Sequence, residues 1–440
     1  MTREEARRSL RPIAGVLATM AVSHTATRVS AIALPWYVLV TTGSAAQTGL
    51  VAFAEMAPYV LVKALTGPLA DRAGPRRISW VTDVVSAVAA AAVVLLDAWG
   101  RLPLGALLVL VAVIGAARGP GDLAKEIMVP EAAERGRVPL ERATGLMGVT
   151  ERLAQTVGPA AGGAAVALLG PLTSLGISAA CFALGSLIVA WALPRGMGRR
   201  APAPEGEREA EGYWRRFSQG LAFLRGEPLL LTVVVMIGVT NLLDAAFSQV
   251  LLPVWAKESG CGPAVAGLNS SVMGLTAVGG SLVAAAVAHR MRRRPVFFLA
   301  FLLAGPPRFL VLAVDAPVWA MVAVFAVAGF GGGFLNPILG AISYERVPRH
   351  LLGRVSALTT SLAWTGIPLG GLLGGVAVAA AGLTPVLLAC GAAYGLTTNL
   401  TGLRPEWREM DRLRGRAQPV VMPRARSSAA AEGERRSGGP

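Results

Sequence analysis

Long apolar stretches constrain this chain more than any other feature, because a helix needs roughly 20 mostly apolar residues to cross a bilayer. Hydrophobic residues make up 54% of the 440 residues and charged residues only 15%, which is less charge than a soluble domain carries. The pattern predicts an all-α polytopic membrane protein with twelve transmembrane helices. The predicted spans lie near residues 12–40, 46–69, 78–97, 102–129, 140–168, 172–193, 228–256, 263–288, 295–314, 317–343, 352–381 and 383–403.

Two polar segments divide the chain into units. We predict an N-terminal six-helix bundle in residues 1–193, a cytoplasmic linker in 194–226, a C-terminal six-helix bundle in 227–403 and a disordered cytoplasmic tail in 404–440. The linker and the tail are rich in charged residues, Pro and Gly, and they have little apolar surface to bury.

The net charge of +15 follows the predicted topology. If the N-terminus is cytoplasmic, most of the 41 Lys and Arg residues fall in cytoplasmic segments, and the outward loops hold only Arg101 and Lys257. Positive residues prefer the cytoplasmic side, so both termini are predicted to be cytoplasmic. No folded basic face remains for nucleic acid. The Arg-rich, Lys-poor composition indicates a bacterium with a GC-rich genome. We therefore expect the protein to lie in the bacterial cytoplasmic membrane.

Motifs for cofactors, metals and enzymatic chemistry are missing from the sequence. The three histidines, His24, His289 and His350, are far apart. No Lys follows a Gly, so the sequence has no phosphate-binding loop of an ATP-driven motor. We therefore expect no cofactor, no metal and no enzyme activity.

The two halves of the chain repeat each other. Residues 140–163 align without gaps with 352–375, and residues 34–50 align with 252–268. Equal, internally repeated bundles are typical of transporters, whose substrate site lies between the halves near the middle of the membrane.

Residues 67–77, GPLADRAGPRR, resemble motif A of the major facilitator superfamily, G-x-L-a-D-R-x-G-R-[RK], between spans two and three. The resemblance implies a cytoplasmic gate in which Asp71 contacts Arg72, Asp122 or Glu126, and the N-terminus of span eleven. A charge cluster that only anchors the topology is the alternative. The second repeat has HRMRRRP at 289–295, without the acid, so the gate would depend on Asp71. The residues assigned to the motif are Gly67, Leu69, Asp71, Arg72, Gly74, Arg76 and Arg77, with Pro75 replacing the usual first Arg.

Span five is similar to motif C of the drug:proton antiporter branch of this superfamily, G(x)8G(x)3GP(x)2GG. Small residues on one helix face allow a neighbouring helix to approach closely, and tight packing alone explains such a stripe equally well. The resemblance, over residues 12–403, implies a monomeric secondary transporter that exports a small lipophilic drug or antibiotic in exchange for protons. The matching residues are Gly145, Gly158, Pro159, Gly162 and Gly163, with Ala154 in place of the second Gly.

Ionisable residues inside membrane spans are costly and therefore mark functional sites. We expect Glu55 to pair with Arg28, and Asp122 or Glu151 to pair with Arg118 or Arg152, whereas Asp244 has no evident cationic partner in spans seven and eight. A buried carboxyl without such a partner can take up a proton near neutral pH. Glu55 and Asp244 are thus the leading proton-coupling candidates, and satisfied structural pairs are the alternative. The full candidate set is Arg28, Glu55, Arg118, Asp122, Glu151, Arg152 and Asp244.

Two other functions remain open. The same fold could export an endogenous compound such as a siderophore, a lysophospholipid or a biosynthetic product. A non-transporting membrane sensor is disfavoured, because motifs A and C are largely intact and the short loops leave no room for a sensory domain.

Overall fold

The computed structural model describes residues 10–197, 221–287, 291–347 and 352–408. Most of the predicted linker and nearly all of the predicted tail lie outside these ranges. Within the helices, the side chains of residues 64–72 and of several positions in 341–357 also lie outside the described part of the structure.

Helices account for almost all of the described residues. In the N-terminal half they are α1 (Arg11–Thr42), α2 (Ala45–Ala73), α3 (Pro75–Ala98), α4 (Leu104–Gly136), α5 (Leu140–Leu169) and α6 (Pro171–Ala192). In the C-terminal half they are α7 (Pro228–Glu258), α8 (Gly262–Val287), α9 (Arg293–Ala313), α10 (Val318–Gly332, continued by Leu335–Arg346), α11 (Leu352–Ala381) and α12 (Leu383–Gly402).

Each predicted span coincides with a helix in the described ranges, which confirms the all-helical architecture. Nine helical runs among the described residues are long and apolar enough to cross a membrane; α1, α5 and α8 are not in that group. The count of twelve crossings thus remains a prediction.

The turns between neighbouring helices also follow the internal repeat. Gly170 joins α5 to α6 with φ 85°, and Gly382 joins α11 to α12 with φ 82°. Glycine adopts a positive φ without the steric cost that a side chain would add, so each pair forms a tight helical hairpin. The two glycines occupy equivalent places in the two halves.

Among the described residues, the halves contact each other most extensively through two helix pairs, α2 with α11 and α5 with α8. We call the end of the bundle at which α1 begins and α2 ends the inner end, and the opposite end the outer end. Towards the outer end, Gly49 of α2 lies against Gly371 and Gly375 of α11, and Gly163 of α5 lies against Gly267 of α8. Backbone packs directly on backbone at both places, as small residues allow.

Candidate functional site

A cavity of about 360 Å³ opens on the inner half of the bundle between α1, α2, α4, α5 and α11. We call it the N-compartment, since all of its lining except Trp364 and Ile367 belongs to the N-terminal half. Four of the predicted ionisable residues line it. These are Arg28, Arg118, Asp122 and Glu151.

Glu55 pairs with Arg118, and the predicted pair of Glu55 with Arg28 is wrong. Glu55 Oε1 lies 2.5 Å from Arg118 NH1, and each side chain is 8% exposed. The reason is the packing of α2 on α4, where Gly115 lies against the backbone of Glu55. Arg118 follows Gly115 by about one helical turn, so this close approach brings its guanidinium beside the carboxylate.

The pairs predicted for Asp122, Glu151 and Arg152 are also wrong. Asp122 Oδ2 accepts a hydrogen bond from the Tyr59 hydroxyl at 3.4 Å, and Glu151 Oε1 accepts one from Gln155 Nε2 at 3.1 Å. Arg152 is exposed and does not line the N-compartment. Because consecutive residues project about 100° apart on a helix, Arg152 points away from the cavity that Glu151 faces.

An aromatic and cationic cluster links the two halves across the N-compartment. Lys63 Nζ lies 5.6 Å from the ring centroid of Tyr59 and 5.1 Å from that of Trp364. The two rings stack with their centroids 6.5 Å apart, and Arg118 lies 5.3 Å from the Tyr59 ring. These distances suit cation–π attraction. This cluster was not predicted, although Lys63 inside a predicted span with an aromatic residue, Tyr59, one helical turn earlier is a usable signal in the sequence.

Asp244 has a cationic partner outside spans seven and eight, so its interpretation as an unpaired carboxyl is wrong. Arg308 NH2 lies 2.6 Å from Asp244 Oδ1, and the Arg308 side chain is 5% exposed. The guanidinium also lies 5.1 Å from the Phe247 ring. Arg308 belongs to α9, so the lack of a cationic partner in spans seven and eight does not leave Asp244 unpaired. The reason for preferring Asp244 as a proton carrier therefore no longer holds.

A second buried ion pair was missed by the sequence analysis. Lys125 Nζ lies 2.8 Å from Asp83 Oδ1 and donates to Ser23 Oγ at 2.8 Å. The side chains of the ion pair are only 3% and 4% exposed, so the three residues connect α1, α3 and α4 in the interior of the N-terminal half. An acid inside span three and a lysine inside span four were the available signals.

The motif C residues contact different neighbours. A Cβ built on Gly158 would lie 2.6 Å from Arg28 Cβ, and one on Gly162 would lie 3.2 Å from Val29 Cα, so both glycines face α1. Gly163 faces α8 instead, where the carbonyl oxygen of Pro159 lies against Gly267. Gly145 meets no heavy atom within 4 Å, and Ala154 is half-buried.

Motif A is described in part. Gly74 has φ 82° and precedes Pro75, the first residue of α3, where proline is favoured. Arg76 donates to the carbonyl oxygens of Leu193 and Ala190 at 2.8 and 2.9 Å, so it binds the C-terminal end of α6, where a cation is stabilised. Arg77 is exposed. The surroundings of Gly67 and the side chains of Leu69, Asp71 and Arg72 lie outside the described part of the structure, and so does all of His289.

Comparisons with known proteins agree on the type of molecule. A family model described as "Transmembrane secretion effector" matches residues 13–431. The multidrug efflux pump Tap of Mycobacterium tuberculosis is 33% identical over 390 residues, which is 87% of this chain and 91% of Tap. The enterobactin exporter EntS of Salmonella typhimurium is 29% identical over 268 residues, which is 59% of this chain and 60% of EntS.

The fold is similar to that of a solved transporter. The crystal structure of the nucleoside transporter NupG matches with a TM-score of 0.69 and 13% identity, over 91% of this chain and 99% of that one. Identity at this level is evidence for the fold alone. Together with the family match and the relatedness to Tap, it leads to one conclusion: the chain belongs to the transmembrane secretion effector family of the major facilitator superfamily, and it is a multi-pass membrane transporter.

Proposed function

We propose that this transporter exports a small lipophilic drug or antibiotic in exchange for protons, by alternating access. It acts as a monomer in the bacterial cytoplasmic membrane, with both termini in the cytoplasm. The observation that carries the proposal is the N-compartment on the inner half of the bundle, whose lining residue Arg118 forms a buried ion pair with Glu55. The relationship to Tap, a multidrug efflux pump, supports it.

The arrangement is that of an inward-facing transporter. The N-compartment occupies the inner half, whereas the outer half is closed by the contacts of Gly49 and Gly163 with the opposite bundle. At the outer end Lys257 Nζ also donates to the Leu39 carbonyl oxygen at 2.6 Å, which connects α7 to α1. Substrate enters such a cavity from the cytoplasm and leaves after the outer contacts separate.

Glu55 is the proposed proton-coupling residue. Its carboxylate is held by Arg118, so a proton that binds Glu55 releases the guanidinium. Asp122 lies one helical turn after Arg118 on α4, on the same face, and it also lines the N-compartment. Arg118 can therefore move from Glu55 to Asp122 when Glu55 is protonated. This exchange changes the charge of the substrate cavity with each proton taken up or released.

An accumulation assay tests the export function. The gene is expressed in a host that lacks its own efflux pumps, and cellular accumulation of a panel of lipophilic drugs is followed with and without a protonophore. We expect lower accumulation of some drugs in expressing cells, and recovery to the level of the empty host when the protonophore is added. Export that a protonophore does not affect contradicts the coupling, and unchanged accumulation of every drug contradicts drug export.

The motif A gate makes a separate prediction. We expect Asp71→Asn to lower export by about tenfold, the effect of losing charge-assisted hydrogen bonds in one of the two states. His289→Asn is the matched control, because it changes the equivalent position of the second repeat, where no acid is present. Export rates normalised to protein level decide the matter. Equal losses in the two variants would mean that the cluster serves only as a topological anchor.

Export of an endogenous compound is the second candidate. The relationship to the enterobactin exporter EntS, over 59% of the chain, favours it. Comparing metabolites in the medium of a deletion strain with those of its parent distinguishes the two functions. A compound that is secreted only by the parent would identify an endogenous substrate.

A further inference from the structure

Trp364 of α11 is shared by two cavities on the inner half of the bundle. One is the N-compartment. The other, of about 460 Å³, lies between α7, α10 and α11, and we call it the C-compartment. Since both linings include Trp364, this residue borders both spaces.

The two compartments offer different chemistry. The charged lining residues of the N-compartment include Arg118, whose charge Glu55 neutralises. Apart from Arg118, the described lining contains two cationic and three acidic side chains. This excess of negative charge favours a cationic ligand. The described lining of the C-compartment consists of apolar side chains and of uncharged Asn and Thr residues. The remaining charged residues of the N-compartment are Arg28, Lys63, Asp122, Glu126 and Glu151.

The backbone that carries Trp364 is firmly placed. Asn241 Nδ2 of α7 donates to the Ala363 carbonyl oxygen at 2.9 Å. Two residues after Trp364, a Cβ built on Gly366 would lie 2.8 Å from the Gly238 carbonyl oxygen, so α11 and α7 touch through their backbones there. A side chain on a backbone held at both sides is well suited to define the shape of a site.

The opposite side of the indole faces the N-terminal half. Lys63 Nζ lies 5.1 Å from its ring centroid and the Tyr59 ring lies 6.5 Å away. A ligand cation in the N-compartment can therefore replace the Lys63 ammonium over the indole, because both are attracted to the face of an aromatic ring.

We propose that Trp364 determines which substrates this transporter accepts by their size and shape. It forms an aromatic wall of the N-compartment for the cationic end of an amphiphilic substrate, and it restricts entry of the apolar body into the C-compartment. A small aromatic cation binds against the indole and stays within the N-compartment. A larger cation must displace the indole to occupy both compartments. This inference rests on the proposed export function, because it assigns a substrate class to the same cavity.

Equilibrium binding to the purified full-length protein tests the inference with two probes, trimethylphenylammonium and tetraphenylphosphonium. We expect Trp364→Ala to weaken binding of the small cation by about fivefold through loss of the cation–π contact. Binding of the large cation is expected to stay equal or become tighter, because the restriction is removed. Trp364→Phe keeps an aromatic ring and is expected to restore binding of the small cation. Trp191→Ala is the control, since Trp191 is 73% exposed on α6.

The ratio of the two dissociation constants decides the outcome. If Trp364 had only a structural role, Trp364→Ala would change both dissociation constants in the same direction. That outcome would overturn the inference, and so would two unchanged dissociation constants. Failure of the wild-type protein to bind either cation would overturn the assigned substrate class. The accumulation assay tests the export function separately, so drug export with an unchanged ratio would refute the role of Trp364 alone.

Discussion

Replacing Gly163 by Val is expected to lower export by at least about tenfold, because overpacking of this kind costs on the order of 1–3 kcal/mol. A Cβ at position 163 would lie 2.6 Å from the Pro263 carbonyl oxygen and 3.1 Å from Gly267 Cα. Backbone atoms of α8 cannot move aside as a flexible side chain can. The outer end would therefore fail to close, and the inward-facing state that loads substrate would become rare.

Gly145→Val is the matched control for this prediction. Gly145 belongs to the same motif on the same helix, yet it meets no heavy atom within 4 Å, so we expect near-normal export. A membrane-impermeant maleimide provides a second readout, since Cys261 lies two residues before Pro263. Faster labelling of Cys261 is expected in Gly163→Val alone. Equal export in both valine variants would contradict closure of the outer end through motif C.

The second large effect is expected for Glu55→Gln. Glutamine has the shape of a protonated Glu55 and cannot release a proton, so Arg118 stays free to approach Asp122. We expect proton-driven accumulation of substrate to fall by at least about tenfold, because removing one partner of a buried ion pair costs more than the free energy that corresponds to a tenfold change. Exchange of labelled for unlabelled substrate, which needs no net proton movement, is expected to continue.

Glu131→Gln is the control for this change. Glu131 also pairs with an arginine, Arg135, at 2.6 Å, but their side chains are 27% and 45% exposed near the inner end of α4. Such exposed pairs contribute little, so accumulation is expected to stay close to normal. If Glu55→Gln accumulates substrate against its gradient as well as the wild-type protein does, Glu55 is not the coupling residue.

The sequence predicted the helices well because apolar length is a local property of the chain. The hairpin turns at Gly170 and Gly382 were predictable for the same reason, since glycine marks the positive φ directly. His24 and Arg28 are spaced by one helical turn, and both line the N-compartment as that spacing implies. Where a feature depends on one helix alone, the pattern of residues was sufficient.

The ion pairs were harder to predict because each depends on how two helices meet. Glu55 pairs with Arg118 only because Gly115 lets α4 approach α2 closely. Arg308 reaches Asp244 from a helix that lies more than 60 residues later in the chain. Trp364 lines two cavities only because α11 packs against both α2 and α7. The charges and their spacing along a single helix carry no information about which other helix packs against it.

Proton movement in proteoliposomes tests the central claim most directly. The purified protein is reconstituted with a pH-sensitive dye inside, a pH gradient is imposed, and a drug identified in the accumulation assay is added. Proton-coupled export predicts that the drug moves against its gradient while protons move in the opposite direction, and that Glu55→Gln abolishes the proton movement but keeps drug exchange. Drug accumulation without any proton movement, or accumulation that persists after the pH gradient has collapsed, would contradict the account.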